Sequence, residues 1–184
     1  MKSNQAILVI LIILIIDQWS KFYIKTHFAL HESVAVFSWF KIYFIENEGM
    51  AWGAKIPGNY GKLILTVFRL LAIVGIGYWL YDVIRKQSSW VLTLSISMIF
   101  AGAMGNIIDS VFYGVFFEHS MGQVAQFLPE GGGYGKWLHG KVVDMFSFSF
   151  FNPVFNVADT AISTGVGLLL LFNKRAFPKT PKQE

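Results

Sequence analysis

The sequence predicts a membrane-embedded α-helical fold with a small β element: four transmembrane helices capped by a β-sheet at the outer interface. Three observations carry that expectation. Hydrophobic residues make up 54% of the chain and its mean hydropathy is +0.52, more than a soluble domain of 184 residues uses for its core. Four apolar stretches approach the roughly 20 residues that cross a bilayer core. Residues 34–45 concentrate β-branched and aromatic side chains, which suit a half-buried pleated surface.

The first stretch, Ala6–Ile16, continues through Asp17, Lys21 and Ile24, giving a span at about residues 6–24. Lys2 before an apolar run is also how a cleavable leader begins. No small-x-small cleavage pattern follows Ile16, so the segment reads as a retained span. The outer β-rich segment covers about residues 33–61, with Trp and Tyr suited to the headgroup zone. A second span at about 63–84 contains Arg69, whose guanidinium must snorkel outward or find a carboxylate. The third, at about 89–109, is uncharged from Trp90 to Ile108.

An outer loop insert follows, at about 112–153. Gly131, Gly132, Gly133 and Gly135 lack the Lys-Ser/Thr pair and helix start of a phosphate cradle, so this part reads as a flexible loop. Further on, Asp144, Phe146, Phe148 and Phe150 share one parity, with Ser147 and Ser149 on the other. A regular strand here joins the sheet and puts Asp144 on the apolar face, raising its pKa. The fourth span lies at about 156–173. Four spans place both termini on one side, and Lys2, Arg85, Lys86, Lys174 and Arg175 assign that side to the cytoplasm. The whole reads as one integral-membrane domain over residues 1–184.

With no cysteine, the chain has neither disulfides nor a thiolate nucleophile. The net charge of +4 sits beside apolar segments, which points to anionic lipid headgroups as partners and not to nucleic acid. The four histidines show no ligand spacing, so neither metal nor cofactor is implied, and no serine lies in a nucleophile motif. What remains is carboxylates. An ionised Asp at mid-bilayer depth costs about 2.5–3.5 kcal/mol on insertion scales, so Asp144 and Asp159, both beside a membrane boundary, are candidates for acid/base chemistry. Blander uses exist for each neighbour. Asp17 and Lys21 are spaced as a helical ion pair worth a few tenths of a kcal/mol if exposed. Asp109 can be a satisfied polar group at a helix end, and Asn156 with Asp159 has the spacing of a helix cap. Intramembrane carboxylates with Arg69 would also suit a small carrier or proton pathway.

Five strings in order decide between these: Asp17-Gln-Trp-Ser-Lys21, Asn47-Glu-Gly49-Met-Ala-Trp-Gly53, Gly102-Ala-Met-Gly105-Asn106-Ile-Ile-Asp109, Val142-Val-Asp144 and Phe155-Asn156-Val-Ala-Asp159. Together, on a four-span hydropathy pattern, they resemble the lipoprotein signal peptidases (signal peptidase II), bacterial membrane aspartyl peptidases. The resemblance implies an endopeptidase of the bacterial inner membrane that removes the signal peptide of a diacylglyceryl prolipoprotein on the amino side of the lipidated cysteine. It implies a monomer with its active site near the outer interface. Asp144 and Asp159 match the catalytic pair; Asn47, Gly49, Asn106 and Asn156 match the substrate cleft, and Asp17, Lys21 and Asp109 match supporting groups. Where the family pattern continues Asp-Arg, this chain has Asp109-Ser110. Lys141, three residues before Asp144, is the expected source of the missing charge, ahead of Lys136 or Arg69.

Overall fold

The computed structural model describes residues 1–48 and 60–178. Its helices are α1 (Ser3–His27), α2 (Gly61–Arg85), α3 (Trp90–Ile108), the single turn α4 (Gly114–Phe116), α5 (Val157–Leu171) and α6 (Asn173–Ala176). Its strands are β1 (Ser33–Phe37), β2 (Phe40–Asn47), β3 (Val142–Phe148) and β4 (Phe151–Phe155). Among the described residues, three helical stretches are long and apolar enough to cross a membrane: Ser3–His27, Gly61–Arg85 and Trp90–Phe116. The fourth apolar helix, α5, has 15 residues, ~22 Å at 1.5 Å per residue, less than a ~30 Å hydrocarbon core. The chain breaks helical geometry at Phe172 before the turn of α6, which is why the last span predicted at about 156–173 is shorter as a helix.

The bundle is arranged around α3. Of its apolar stretch 61% is buried, against 17% for α1 and for α2. Large side chains such as Ile15, Trp19, Leu71 and Val74 are exposed on the outer helices, as lipid-facing residues must be. α3 and α5 pack backbone to backbone because glycines remove the side chains between them. A methyl group at Gly102 would run into the Ala158 carbonyl and lie 2.7 Å from Ile162 Cγ1; at Gly165 it would lie 2.7 Å from the Ser95 carbonyl. On α2, Thr66, Ile73, Leu80 and Val83 are buried, a seam of three- and four-residue steps that Arg69 and Ile76 complete. Arg69 therefore faces the protein instead of snorkelling into solvent.

At one end of the bundle the strands form an antiparallel sheet in the order β1-β2-β3-β4. Asp144 lies opposite Ile45, and Val142 opposite Asn47, with a register shift between Ile42 and Ile45. The two-face alternation expected of β3 holds only in part, since Val142, Val143, Asp144 and Met145 are all buried. Val143 and Met145 pack with Ile24, Phe44, Tyr113 and Phe117, while Val142 and Asp144 turn to a cleft on the other side. Both faces of this strand are covered, so a regular apolar-polar alternation is not required of it.

The insert departs from the flexible loop expected of it. It is tied down along its length: Leu30 N donates to Ser120 O (2.8 Å), Tyr134 N to Phe117 O (2.9 Å), Gly135 N to Gly114 O (2.7 Å) and Lys141 N to the Tyr134 hydroxyl (2.7 Å). Gly133 lies flat against the Gly114 and Val115 carbonyls, where a Cβ would not fit. The glycine run is thus used for close packing, and Gly132, at φ +82°, for a turn.

The α3–α5 contact gives the first prediction. Gly102→Ala should destabilise the protein by about 1–3 kcal/mol, the usual cost of overpacking. Thermal unfolding in detergent micelles measures it, and an unchanged midpoint would contradict the close approach.

Candidate active site

α1 delivers a polar stripe, Asp17, Lys21 and Lys25, to the inside of the bundle, and all three side chains are fully buried. Lys21 Nζ lies 3.0 Å from Asp17 Oδ2, 3.0 Å from Asp109 Oδ2 and 2.8 Å from Asn106 Oδ1. An ammonium has three hydrogens to donate, and these three oxygens take them all. The aspartates are not exposed helix-surface charges but arms of a tie. Asp17 Oδ1 accepts the Ala158 N–H (2.8 Å) in the first turn of α5, where the helix dipole favours an anion, and Asp109 Oδ2 accepts the Val143 N–H (3.2 Å) of β3. Gln18, to which the sequence assigns no role, shares the two hydrogens of its Nε2 among Asp17 Oδ2 (3.0 Å), Gly105 O (3.1 Å) and Asp109 Oδ1 (2.9 Å). A Cβ at Gly105 would lie 3.1 Å from Asp17 Cγ, so the glycine makes room for this carboxylate.

Asp109 begins a five-residue π-helical turn, Asp109–Tyr113, that prolongs α3. Such turns re-aim side chains in a way an α-helix cannot.

From Lys21 the network passes outward to two further carboxylates. Asn106 Oδ1 also accepts from Asn156 Nδ2 (3.1 Å), which fixes the Asn106 amide so that its own Nδ2 donates to Asp159 Oδ1 (2.8 Å). Asn156 Nδ2 also donates to Asp144 Oδ1 (2.7 Å), with the Val143 carbonyl at 3.3 Å. Asn47 Nδ2 reaches Asp144 Oδ2 from β2 (3.2 Å). Asn156 caps α5 as its spacing predicts: its Oδ1 accepts the Asp159 N–H (2.9 Å) and Asp159 Oδ2 lies 3.4 Å from the Asn156 N–H. Capping and a site role are therefore one arrangement, not alternatives.

Asp144, Asp159, Asn47 and Asn106 line a single cleft of about 590 Å³, with Arg69 from α2 and an apolar wall that includes Phe151, Val154, Phe155 and Ile162. Asp144 is almost completely buried. Burial, and after it the negative charge of Asp159, push its pKa up to about 7. A carboxyl that holds its proton near neutrality, beside a second carboxyl that is half-exposed, is the arrangement acid/base chemistry needs.

Of the predicted positions, Asp17, Lys21, Asn47, Asn106, Asp109, Asp144, Asn156 and Asp159 thus converge on one network; Gly49 lies outside the described residues. Lys141 does not reach the cleft. Its ammonium sits 3.2 Å from Glu46 Oε2 and over the Tyr134 ring, in a second cluster where Glu46 also pairs with Lys25 and Ser120. Burial alone would raise the Glu46 pKa, but Lys25 and then Lys141 more than offset that and hold it below its ordinary value. Among the described residues, the cation that lines the cleft is Arg69, with Nη1 3.5 Å from Ser110 Oγ.

Comparison with known proteins assigns the family. Residues 9–174 match the model of the family described as signal peptidase (SPase) II. The chain belongs to the signal peptidase II family. A lipoprotein signal peptidase of Porphyromonas gingivalis is 43% identical to it, over 93% of this chain and 81% of the relative. One from Syntrophus aciditrophicus is 33% identical, over 87% and 86%. A solved bacterial membrane enzyme superposes with a TM-score of 0.70 at 25% identity, covering 99% of this chain and 95% of that one. This signal peptidase II is thus a multi-pass bacterial membrane protein and a protease.

In the peptidase, removing the buried ammonium should be severe. Lys21→Met leaves Asp17 and Asp109 as buried carboxylates without their cation, which typically costs about 3–5 kcal/mol. Thermal unfolding in micelles should show a marked drop, and a midpoint equal to that of the parent would contradict the role given to Lys21.

Proposed function

We propose that Asp144 and Asp159 are the catalytic carboxylates of this lipoprotein signal peptidase. It is an aspartyl endopeptidase that removes the signal peptide from diacylglyceryl-modified prolipoproteins, cleaving on the amino side of the lipidated cysteine. The observation that carries the assignment is the amide bridge: Asn156 on Asp144 and Asn106 on Asp159, joined to each other, orient both carboxyls toward one cleft. The curated relatives carry the name lipoprotein signal peptidase, which supports the substrate.

In the proposed cycle the pair holds one proton, on Asp144, whose burial favours the neutral form. Asp144 donates it to the scissile carbonyl oxygen while Asp159 takes a proton from water, whose oxygen adds to the carbonyl carbon. The tetrahedral intermediate then loses its C–N bond as the proton on Asp159 passes to the leaving nitrogen and one of its two hydroxyls returns a proton to Asp144, which restores the carbonyl and the starting state of the pair. Asn47, Asn106 and Asn156 hold the carboxyls, and the Lys21 tie with Asp17 and Asp109 holds Asn106. Every step moves protons between carboxyls, water and substrate, so no cofactor is called for.

The same reading gives a single integral-membrane peptidase domain with α5 as a fourth, short span in the inner membrane. Lys2, Arg85, Lys86, Lys174 and Arg175 support cytoplasmic termini, and the sheet and cleft then lie near the outer interface. Both carboxylates and all their supports come from one chain, which suits a monomer surrounded by lipid. The apolar wall of the cleft fits the hydrophobic signal segment or the acyl chains.

Asp144→Asn and Asp159→Asn should each abolish cleavage of a diacylglyceryl prolipoprotein while leaving insertion and unfolding temperature near those of the parent. Near-normal turnover by either purified variant would overturn the pair. The pH dependence has a definite sign. Below about 7 Asp144 keeps its proton, and as pH rises through that value the proton is lost, so kcat/KM should fall by about tenfold per pH unit on the alkaline side. A rate still rising at about pH 8 would contradict the protonated acid.

A further inference from the structure

Arg69 is a cation with no ion pair among the described residues, and the network that ties the other site charges together does not use it. It sits on the inward seam of α2 between Thr66 and Ile73, both buried. The Thr66 hydroxyl fixes that part of α2, its single hydrogen shared between the Leu138 carbonyl of the insert (3.0 Å) and Lys62 O (2.9 Å). The guanidinium therefore enters the cleft from an anchored helix. Among the described residues its one side-chain hydrogen bond is the 3.5 Å one to Ser110 Oγ, which itself donates to the Asn106 carbonyl at 2.9 Å. Five N–H donors are thus brought to a site where the described residues offer them one marginal acceptor. The charges of Asp159, Asp144 and Asp109 favour the guanidinium, but buried N–H donors left without acceptors are costly unless another molecule completes their partners.

We propose that Arg69 is a substrate-holding residue: its guanidinium donates to carbonyl oxygens of the molecule lying across Asp144 and Asp159. A planar two-pronged donor suits adjacent carbonyls, which this substrate offers from two sources, the extended peptide and the esters of its diacylglyceryl group. This rests on the cleft being the peptidase site. Arg69 is also the only cation among the described residues that line the cleft. Lys21, behind the cleft, has all three hydrogens engaged by Asp17, Asp109 and Asn106.

The proximity of Ser110 supplies a direct test, because a guanidinium carried on residue 110 can enter the space that Arg69→Ala vacates. Steady-state kinetics are compared for the parent, Arg69→Ala, Arg69→Lys and the double variant Arg69→Ala/Ser110→Arg, each purified in micelles. Two matched lipopeptides serve as substrates, one with ester-linked chains and one with ether-linked chains. Arg69→Ala should raise KM about tenfold or more with little change in kcat, the signature of lost uniform binding. Arg69→Lys should recover part of the loss and the double variant most of it. A rise on both lipopeptides places the contact on the peptide carbonyls, and a rise confined to the ester substrate places it on the lipid. KM within about twofold of the parent on both substrates would overturn the proposal. So would an unchanged KM with the pH–rate limb displaced, which would make Arg69 a counter-ion of the carboxylates. If Arg69→Ala unfolds, Arg69→Gln, of comparable length and uncharged, carries the same comparison. Failure of the carboxylate assignment shows itself separately, as activity in the aspartate variants.

Discussion

A lysine ammonium buried completely in a helical bundle is tolerable only if its charge and all its hydrogens are answered on the spot. Lys21 meets that condition with three oxygens from two helices, and the two anions that neutralise it each accept a backbone N–H from a further element. The positions of α1, α3, α5 and β3 are thereby made interdependent. Asn106 is the point at which this tie reaches the cleft, since one side of its amide is held by Lys21 and the other is on Asp159. The placement of Asp159 is thus backed by Asp17, Lys21 and Asp109, which lie outside the lining of the cleft, and such backing is how a site is held to the tolerance that acid/base chemistry requires.

The sheet and the insert serve that same spacing from outside the bundle. β2 carries Asn47 to Asp144, and the next residue inward, Glu46, is locked by Lys25 of α1, by Lys141 and by Ser120 of the insert. Phe117 and Tyr113 close the hydrophobic cluster beneath β3, and Tyr134 lies against Lys25 and Lys141. The insert is in this sense a buttress for the strands behind the site. Ring contacts bind it to the bundle: Trp137 packs on Phe112 and Phe116 at the end of the third spanning stretch, and Phe127 on Phe116 and on Phe22 of α1.

Much of this was legible in the sequence because the residues carry their reasons locally. Asp17 and Lys21 share a helix face, Asn156 and Asp159 have cap spacing, and apolar runs of near-spanning length mark the helices. Other features depend on partners far along the chain. Gln18 gives no local signal, since its three acceptors lie on Asp17 and on a helix some ninety residues away. Lys141 was expected at the cleft on sequence proximity to Asp144, but alternate residues of a strand point opposite ways, and Glu46 across the sheet captures it. Arg69 had a readable signal that apolar composition hides: the steps from Thr66 through Ile73 and Leu80 to Val83 put it on the inward face. The fourth helix reads long in hydropathy because Phe155, Phe172 and their neighbours are apolar whether or not they are helical.

The central claim is that Asn106 and Asn156 act as one bridge between the two carboxylates. A double-mutant cycle tests it most directly, with kcat measured for Asn106→Ala, Asn156→Ala and the double variant on a diacylglyceryl prolipoprotein. If the amides form one unit, breaking either end loses most of the effect, and the double variant should be little slower than the worse single. Losses in kcat that simply multiply would mean that each asparagine serves its own aspartate independently, and would contradict the account.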